Sequence, residues 1–298
     1  MIYESQEIKD LVKAGKLPQI TEENYYDREI NKAYMSFHTW ANFHGTLGLV
    51  ACEARALAEL NGEFEEEKVS DAFLLGGYVD AALVGGDGEL EQFKEKHPEM
   101  FVTRGDRKGE LQAKYAVAEK MIARCRQDEL FMQFVGGEHQ AILVCMICDV
   151  PFKCKIDSLV HGKALVDLKT TREMHKQFYI PGFGHADFIS YYGYVYQLAL
   201  YREMVKQIFD ETQECFVAAV SKAEYPEIKI VHIDEMSLFD AWTEMKNSLE
   251  HGSTVDVWKG EIKPIRCNNP ECHYCISTEV LKDPINYKDL IMSWGNNA

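Results

Sequence analysis

The sequence predicts a mixed α/β fold: a mostly antiparallel sheet flanked by helices, with a helical N-terminal elaboration. Three observations carry that expectation. Apolar residues in the first 135 positions recur at helical spacing. After Gly136-Gly137 the pattern changes to short, β-branched or alternating runs. The chain then returns to a long helix, two strands and a further helix. No repeat of roughly 20 to 50 residues and no low-complexity linker interrupts it, which favours one elaborated domain. Residues 1–298 are thus expected to form a single domain. Its parts are a mainly helical 1–135, a sheet and helix over 136–235, and a C-terminal helix with a cysteine cluster over 236–298.

Taken in order, residues 40–60 and 71–84 have helix-compatible spacing, and 111–126 (LQAKYAVAEKMIARCR) is the clearest amphipathic stretch. The acidic run 63–67 reads as a solvated turn. Residues 139–148 (HQAILVCMIC) form an apolar run of strand length, and 152–160 (FKCKIDSLV) alternates. A turn at His161-Gly162 leads into 164–169, so three short strands with tight connections read as an antiparallel meander. A loop rich in glycine and aromatics (FYIPGFGHADF) precedes a helix over 187–207. Strands over 214–221 and 227–233 and a helix over 234–249 follow.

Composition narrows the function classes. Hydrophobic residues make up 46% and charged residues 27%, an ordinary globular balance. The longest apolar run, Ala141 to Cys148, is far short of the roughly 20 residues a bilayer requires. The charged N-terminus lacks the apolar core of a secretory signal, so a cytoplasmic protein without a membrane partner is expected. The net charge of −16 argues against a protein that coats nucleic acid through bulk charge. Two basic islands stand out from that average. Arg104 to Arg126 carries seven Lys/Arg against three acids, and Lys153 to Lys176 six against three. Local sign prevails over net sign within a Debye length of roughly 8 Å.

The sharpest constellation is Asp157, Asp167 and Lys169. Asp157 lies near the end of one predicted strand and Asp167-Leu168-Lys169 near the end of the next. Paired antiparallel strands bring such residues within about 5 Å, and Asp167 and Lys169 share a strand face. Two carboxylates beside a lysine make a hard-cation site in which the lysine orients a water. Glu138, with Gln140 on its face, is a candidate for a second metal. Nine cysteines are many for a reducing compartment, and clustered ones there point to metal. Cys125, Cys145, Cys148, Cys154 and Cys215 lie in apolar or mixed stretches and read as small core residues. Cys267-x4-Cys272-x2-Cys275 supplies three soft ligands. The fourth is His273 or a thiolate from elsewhere.

Ile156-Asp157 followed by Asp167-Leu168-Lys169 resembles the PD-(D/E)xK nuclease signature. Upstream, Gly76-Gly77-Tyr78-Val79-Asp80 resembles the helix of RecB-type and RecE-type nucleases, with Asp80 in the metal-ligand place. Downstream, Tyr194-Val195-Tyr196-Gln197-Leu198-Ala199-Leu200-Tyr201 resembles their Q-x-x-x-Y helix, with Gln197 and Tyr201 one turn apart. Cys52 before the motifs and three cysteines after them are similar to the iron–sulfur clamp of RecB-like nucleases. From about residue 34 to 276 the chain resembles phage- and prophage-type exonucleases related to RecE. That resemblance implies a Mg²⁺- or Mn²⁺-dependent DNA exonuclease of recombination or repair with low sequence specificity. It implies Asp80, Asp157, Asp167 and the Leu168 carbonyl as metal ligands. Lys169, Gln197 and Tyr201 join Asp157 and Asp167 as catalytic residues. Cys52, Cys267, Cys272 and Cys275 would hold an iron–sulfur cluster, with Zn²⁺ as the alternative. Linear DNA, double- or single-stranded, is the implied substrate, and a homo-oligomer and a single-strand annealing protein are the implied partners. The aromatic loop Phe178 to Phe188 is placed to stack an unpaired base. Two rivals remain: a non-catalytic DNA-binding or assembly protein with a structural metal, and an endonuclease of the same fold.

Overall fold

The apolar run AILVCMI and the alternating FKCKIDSLV form neighbouring strands, and the rest of the sheet grows on both sides of them. The computed structural model describes residues 1–65, 70–86, 88–281, 283–284 and 286–287. The end of the acidic run 63–67 and residues 288–298 of the expected C-terminal part lie outside these. Eight strands are present among the described residues: β1 (Ile2–Glu4), β2 (Glu138–Ile147), β3 (Val150–Val160), β4 (Ala164–Thr171), β5 (Phe178–Ile180), β6 (Gly184–Ala186), β7 (Glu214–Ser221) and β8 (Ile228–Ile233). Six of them form one sheet in the order β1-β2-β3-β4-β7-β8, while β5 and β6 make a separate hairpin. The β2-β3-β4 meander is antiparallel, as expected. β7 runs parallel to β4 and antiparallel to β8, and β1 runs parallel to β2. The β2–β3 turn needs left-handed backbone at both central residues, and Cys148 (φ 48°) and Asp149 (φ 60°) adopt it.

Each face of the sheet carries its own core. On one face, Ala141, Leu143, Ile156, Leu165, Val217 and their neighbours pack against helices Phe37–His44, Tyr194–Phe209 and Glu235–His251. On the other, Val166, Leu168, Ala218 and Val220 pack against helices Asp71–Leu83, Val117–Arg126 and Glu129–Val135. The alternation along β4 and β7 feeds both cores, which fixes which side chains face the Tyr194–Phe209 helix. Cys125, Cys145, Cys154 and Cys215 are buried in these cores and Cys148 is half-buried.

Several expected elements are broken where glycine permits close approach. The helix expected over 40–60 is two, Phe37–His44 and Glu53–Asn61, separated by a loop that starts at Gly45 (φ 89°). The 187–207 helix is interrupted at Tyr192-Gly193, where Gly193 takes φ 71°. A Cβ there would sit 2.9 Å from the Thr46 side chain. The 111–126 helix begins only at Val117. β1, from the mainly helical N-terminal part, joins the edge of the sheet.

Candidate active site

β3 and β4 pair only from Ser158↔Val166 to Val160↔Ala164, and diverge beyond. The splayed end leaves backbone groups of β4 unpaired by β3, and Asp157 fills the gap: its Oδ2 accepts from the Leu168 N–H at 2.8 Å. Asp167 and Lys169 point to the face of the Tyr194–Phe209 helix, and the Lys169 Nζ meets Asp167 Oδ2 at 2.7 Å. From the helix, Gln197 Nε2 donates to Asp167 Oδ1 at 2.8 Å and to the Tyr201 hydroxyl at 3.1 Å. The Lys169 ammonium lies 4.8 Å from the centroid of the Tyr194 ring. Gln197, Tyr201 and Asp167 are all buried. Asp80, on the Asp71–Leu83 helix, faces the same group from the other side and feels the charges of Asp157, Lys169, Asp167 and Lys222. That helix approaches β4 closely at Gly76, where a Cβ would lie 3.3 Å from Thr170 Oγ1.

The cysteines form a second centre. Cys52, Cys267, Cys272 and Cys275 place their Sγ atoms within 4.8 Å of one another. Cys52 Sγ lies 3.5 Å from that of Cys275, which lies 3.8 Å from that of Cys267. Cys52 is the N-cap of helix Glu53–Asn61 and Cys272 that of helix His273–Ser277. Main-chain contacts lace the two parts together: Ala54 N donates to Ile265 O at 3.1 Å, and Ile265 N to Glu53 Oε2 at 2.8 Å. The fourth ligand left open between His273 and a distant thiolate is therefore filled by Cys52. Among the described residues, this is the one group of three or more such ligands that close together. The carboxylates of the first centre stand looser, with Lys169 tied to Asp167.

Residues 36–278 match the family described as "PDDEXK-like domain of unknown function (DUF3799)". The chain belongs to this family. A crystal structure from Eubacterium rectale described as "Putative exonuclease" is 38% identical, with a TM-score of 0.83 over 91% of this chain and 98% of that one. No curated protein matches.

The electrostatics of this PDDEXK-like site are those of crowded anions. Enclosure drives the Asp157 carboxyl up to about 7, reinforced by the charge of Asp167 and opposed by Lys169 and the Leu168 N–H. Asp80 is pushed well above the usual carboxylate range, first by enclosure and then by Asp157. Burial works against the Lys169 charge, but Asp167 and Asp157 outweigh it and hold the amine protonated. An oxygen-rich, partly protonated set of this kind suits a divalent cation, which stabilises the ionised carboxylates.

Three residues near this group carry no motif and escape a reading of the sequence. Lys222 follows β7 directly and is held by its N–H to Thr171 O, which sets it beside Asp80. His38 faces the charges of Lys169 and Asp167. Tyr26 faces Asp157, Glu89 and Asp80, with the Lys155 ammonium 5.8 Å from its ring. Only the sheet pairing and the fold of the N-terminal segment bring them there. Glu138, the candidate for a second metal, is taken up elsewhere: it accepts from the Tyr3 hydroxyl at 2.9 Å and meets His161 Nε2 at 3.0 Å. Gln140 stands across from Asp157, between the pairs His139↔Ser158 and Ala141↔Ile156, with a left-handed φ of 53°. The second basic island also divides. Lys153 is turned inward, bonded to Tyr25 O and to Asn31 Oδ1, and holds the turn that carries Tyr26.

Proposed function

We propose that this protein is a single-domain, Mg²⁺- or Mn²⁺-dependent DNA exonuclease with low sequence specificity. The observation that carries the reading is the set formed by Asp157, Asp167 and Lys169, held from behind by Gln197 and faced by Asp80. Asp80, Asp157 and Asp167, with the Leu168 carbonyl, are the groups that would hold the cation. When bound, such an ion supplies Lewis-acid activation of a water and charge neutralisation at the phosphate. Lys169 stays protonated, so it acts as a hydrogen-bond donor that orients the water and offsets developing negative charge. Gln197 keeps Asp167 in place. Contacts of this kind address the backbone and carry little sequence information.

The cysteine centre is read as structural. Four thiolates about 2.3 Å from one tetrahedral ion lie about 3.8 Å apart. Spacings of 3.5 and 3.8 Å fit that arrangement, whereas an iron–sulfur cluster interposes iron and sulfide between the thiolates. The spacing therefore supports zinc over the iron–sulfur cluster that the one-plus-three order of the cysteines implied. Four thiolates leave no open position for substrate. The phage-type recombination role, the homo-oligomer and the annealing partner rest on the resemblance to RecE-related exonucleases.

The test is digestion of linear and covalently closed circular DNA, each with Mg²⁺, Mn²⁺ or chelator, beside the Asp167→Asn variant. The expected result is metal-dependent loss of the linear form alone, absent in the variant. Cleavage of the circle would make the protein an endonuclease. Binding without cleavage of either form would favour the non-catalytic rival.

A further inference from the structure

The aromatic side chains beside the site form one connected surface. Tyr194, whose ring carries the Lys169 ammonium, stacks on Tyr192 with centroids 5.7 Å apart and planes 27° from parallel. Tyr192 meets Phe178 edge-on at 5.6 Å, and Phe178 stacks on Tyr191 at 4.1 Å and 17°. The Lys176 ammonium lies 4.8 Å from the Phe178 centroid. Two cations thus bracket a run of rings leading from the Asp167–Lys169 pair to the β5–β6 hairpin. The far end is fixed, because Gly48 N donates to Tyr191 O at 3.0 Å and a Cβ at Gly48 would lie 2.5 Å from that oxygen. Tyr192, in the middle of the run, is open to solvent at 48% exposure.

We propose that this surface is a stacking track for unpaired nucleotides, so that the strand entering the site is single-stranded over its last few bases. The proposal rests on the nuclease reading and specifies its substrate. A run of rings with an ammonium group toward each end fits a single strand, whose bases stack on rings and whose phosphates meet cations. A duplex offers no unstacked base along its length, and a purely apolar partner would find the lysines in its way. The track is also continuous with the reactive pair through Tyr194 and Lys169. Every base has a π-face, so such a track is indifferent to sequence.

The test measures fluorescence anisotropy with Ca²⁺ in place of Mg²⁺. One probe is an oligothymidylate of about 20 nucleotides, and the other an abasic strand with the same number of phosphates. The oligothymidylate is expected to bind at least tenfold more tightly than the abasic strand. Tyr192→Ala, altered at the exposed ring of the run, should bind oligothymidylate about tenfold more weakly and the abasic strand unchanged. Tyr192→Trp should restore binding. Equal affinity for both probes, or equal losses on both in the variants, would overturn the track. If wild type degrades linear DNA yet binds the two probes equally, only this proposal falls. If it neither binds nor degrades DNA, the nuclease reading falls with it.

Discussion

Asp157 is where the electrostatics of the site are most exposed to measurement. Its carboxyl titrates at about 7 in the fold against roughly 3.9 in an unfolded chain. An acid raised in this way binds more protons folded than unfolded between those values, so it costs stability as pH rises from about 4 to 7. In metal-free protein, Asp157→Asn should therefore match wild type near pH 4. It should become progressively more stable than wild type by pH 7, read as the difference in thermal midpoint. Mg²⁺ or Mn²⁺ should recover the loss in wild type and not in the variant, because cation binding requires the ionised carboxylates. A difference that shrank with rising pH would contradict the assigned burial and crowding. Gln197 and Tyr201 make a separate case. Gln197→Ala frees Asp167 without removing a reacting group, and residues that orient metal ligands typically contribute 10- to 100-fold to affinity or activity. The expected result is a loss of about that size, carried by a weaker apparent Mg²⁺ affinity. Tyr201→Phe, which removes only the hydroxyl behind Gln197, should lose less.

At the scale of the element, the N-terminal segment is held to the sheet by a lysine of the second basic island. Lys153 is 1% exposed and spends its ammonium on Tyr25 O and Asn31 Oδ1, 4.2 Å above the Tyr25 ring. Burial lowers its pKa to about 8, with Asp27 opposing. Lys153→Ala leaves a cavity and two unpaired acceptors, for an expected loss of about 2–4 kcal/mol in denaturant unfolding. An exposed DNA-contacting lysine would instead leave stability within about 0.5 kcal/mol of wild type. Island membership therefore did not predict function here, because the N-terminal segment covers the face of β3 that carries Lys153 and takes up its ammonium. The breaks at Gly45 and at Tyr192-Gly193 follow the same logic. Each was hidden by apolar spacing on both sides, and each exists because the 45–52 loop passes close to Tyr191 and Gly193.

For the whole molecule, the cysteine centre joins residue 52 to residues 267–275 across nearly the full chain. A cross-link over so long a loop removes much chain entropy from the unfolded state, and metal binding then contributes directly to folding. Cys52→Ala, or removal of the ion by a strong chelator, should lower the thermal midpoint by several degrees and free the C-terminal segment to proteolysis. Elemental analysis of purified protein should give one zinc per chain. Iron with acid-labile sulfide, and a brown protein prepared without oxygen, would instead decide for the cluster. Among the described residues no helix is long and apolar enough to cross a membrane.

Local pattern alone determined the meander, the two strands after the long helix, and the shared face of Asp167 and Lys169. These follow from strand periodicity and turn chemistry within a few residues, and the register they impose is one the sheet keeps. The family resemblance also grouped Asp80 with Asp157 and Asp167, Gln197 with Tyr201, and Cys52 with the three C-terminal cysteines. How these groups meet, and what else meets them, was decided by the tertiary structure. The splaying of β3 from β4 turned Asp157 onto the Leu168 N–H, and the β7 pairing carried Lys222 to Asp80. Packing of the N-terminal segment brought His38 and Tyr26 to the carboxylates and Cys52 to its three partners. Sequence spacing holds no information about such meetings, because they depend on the free energy of closing long loops around two cores rather than on any local preference.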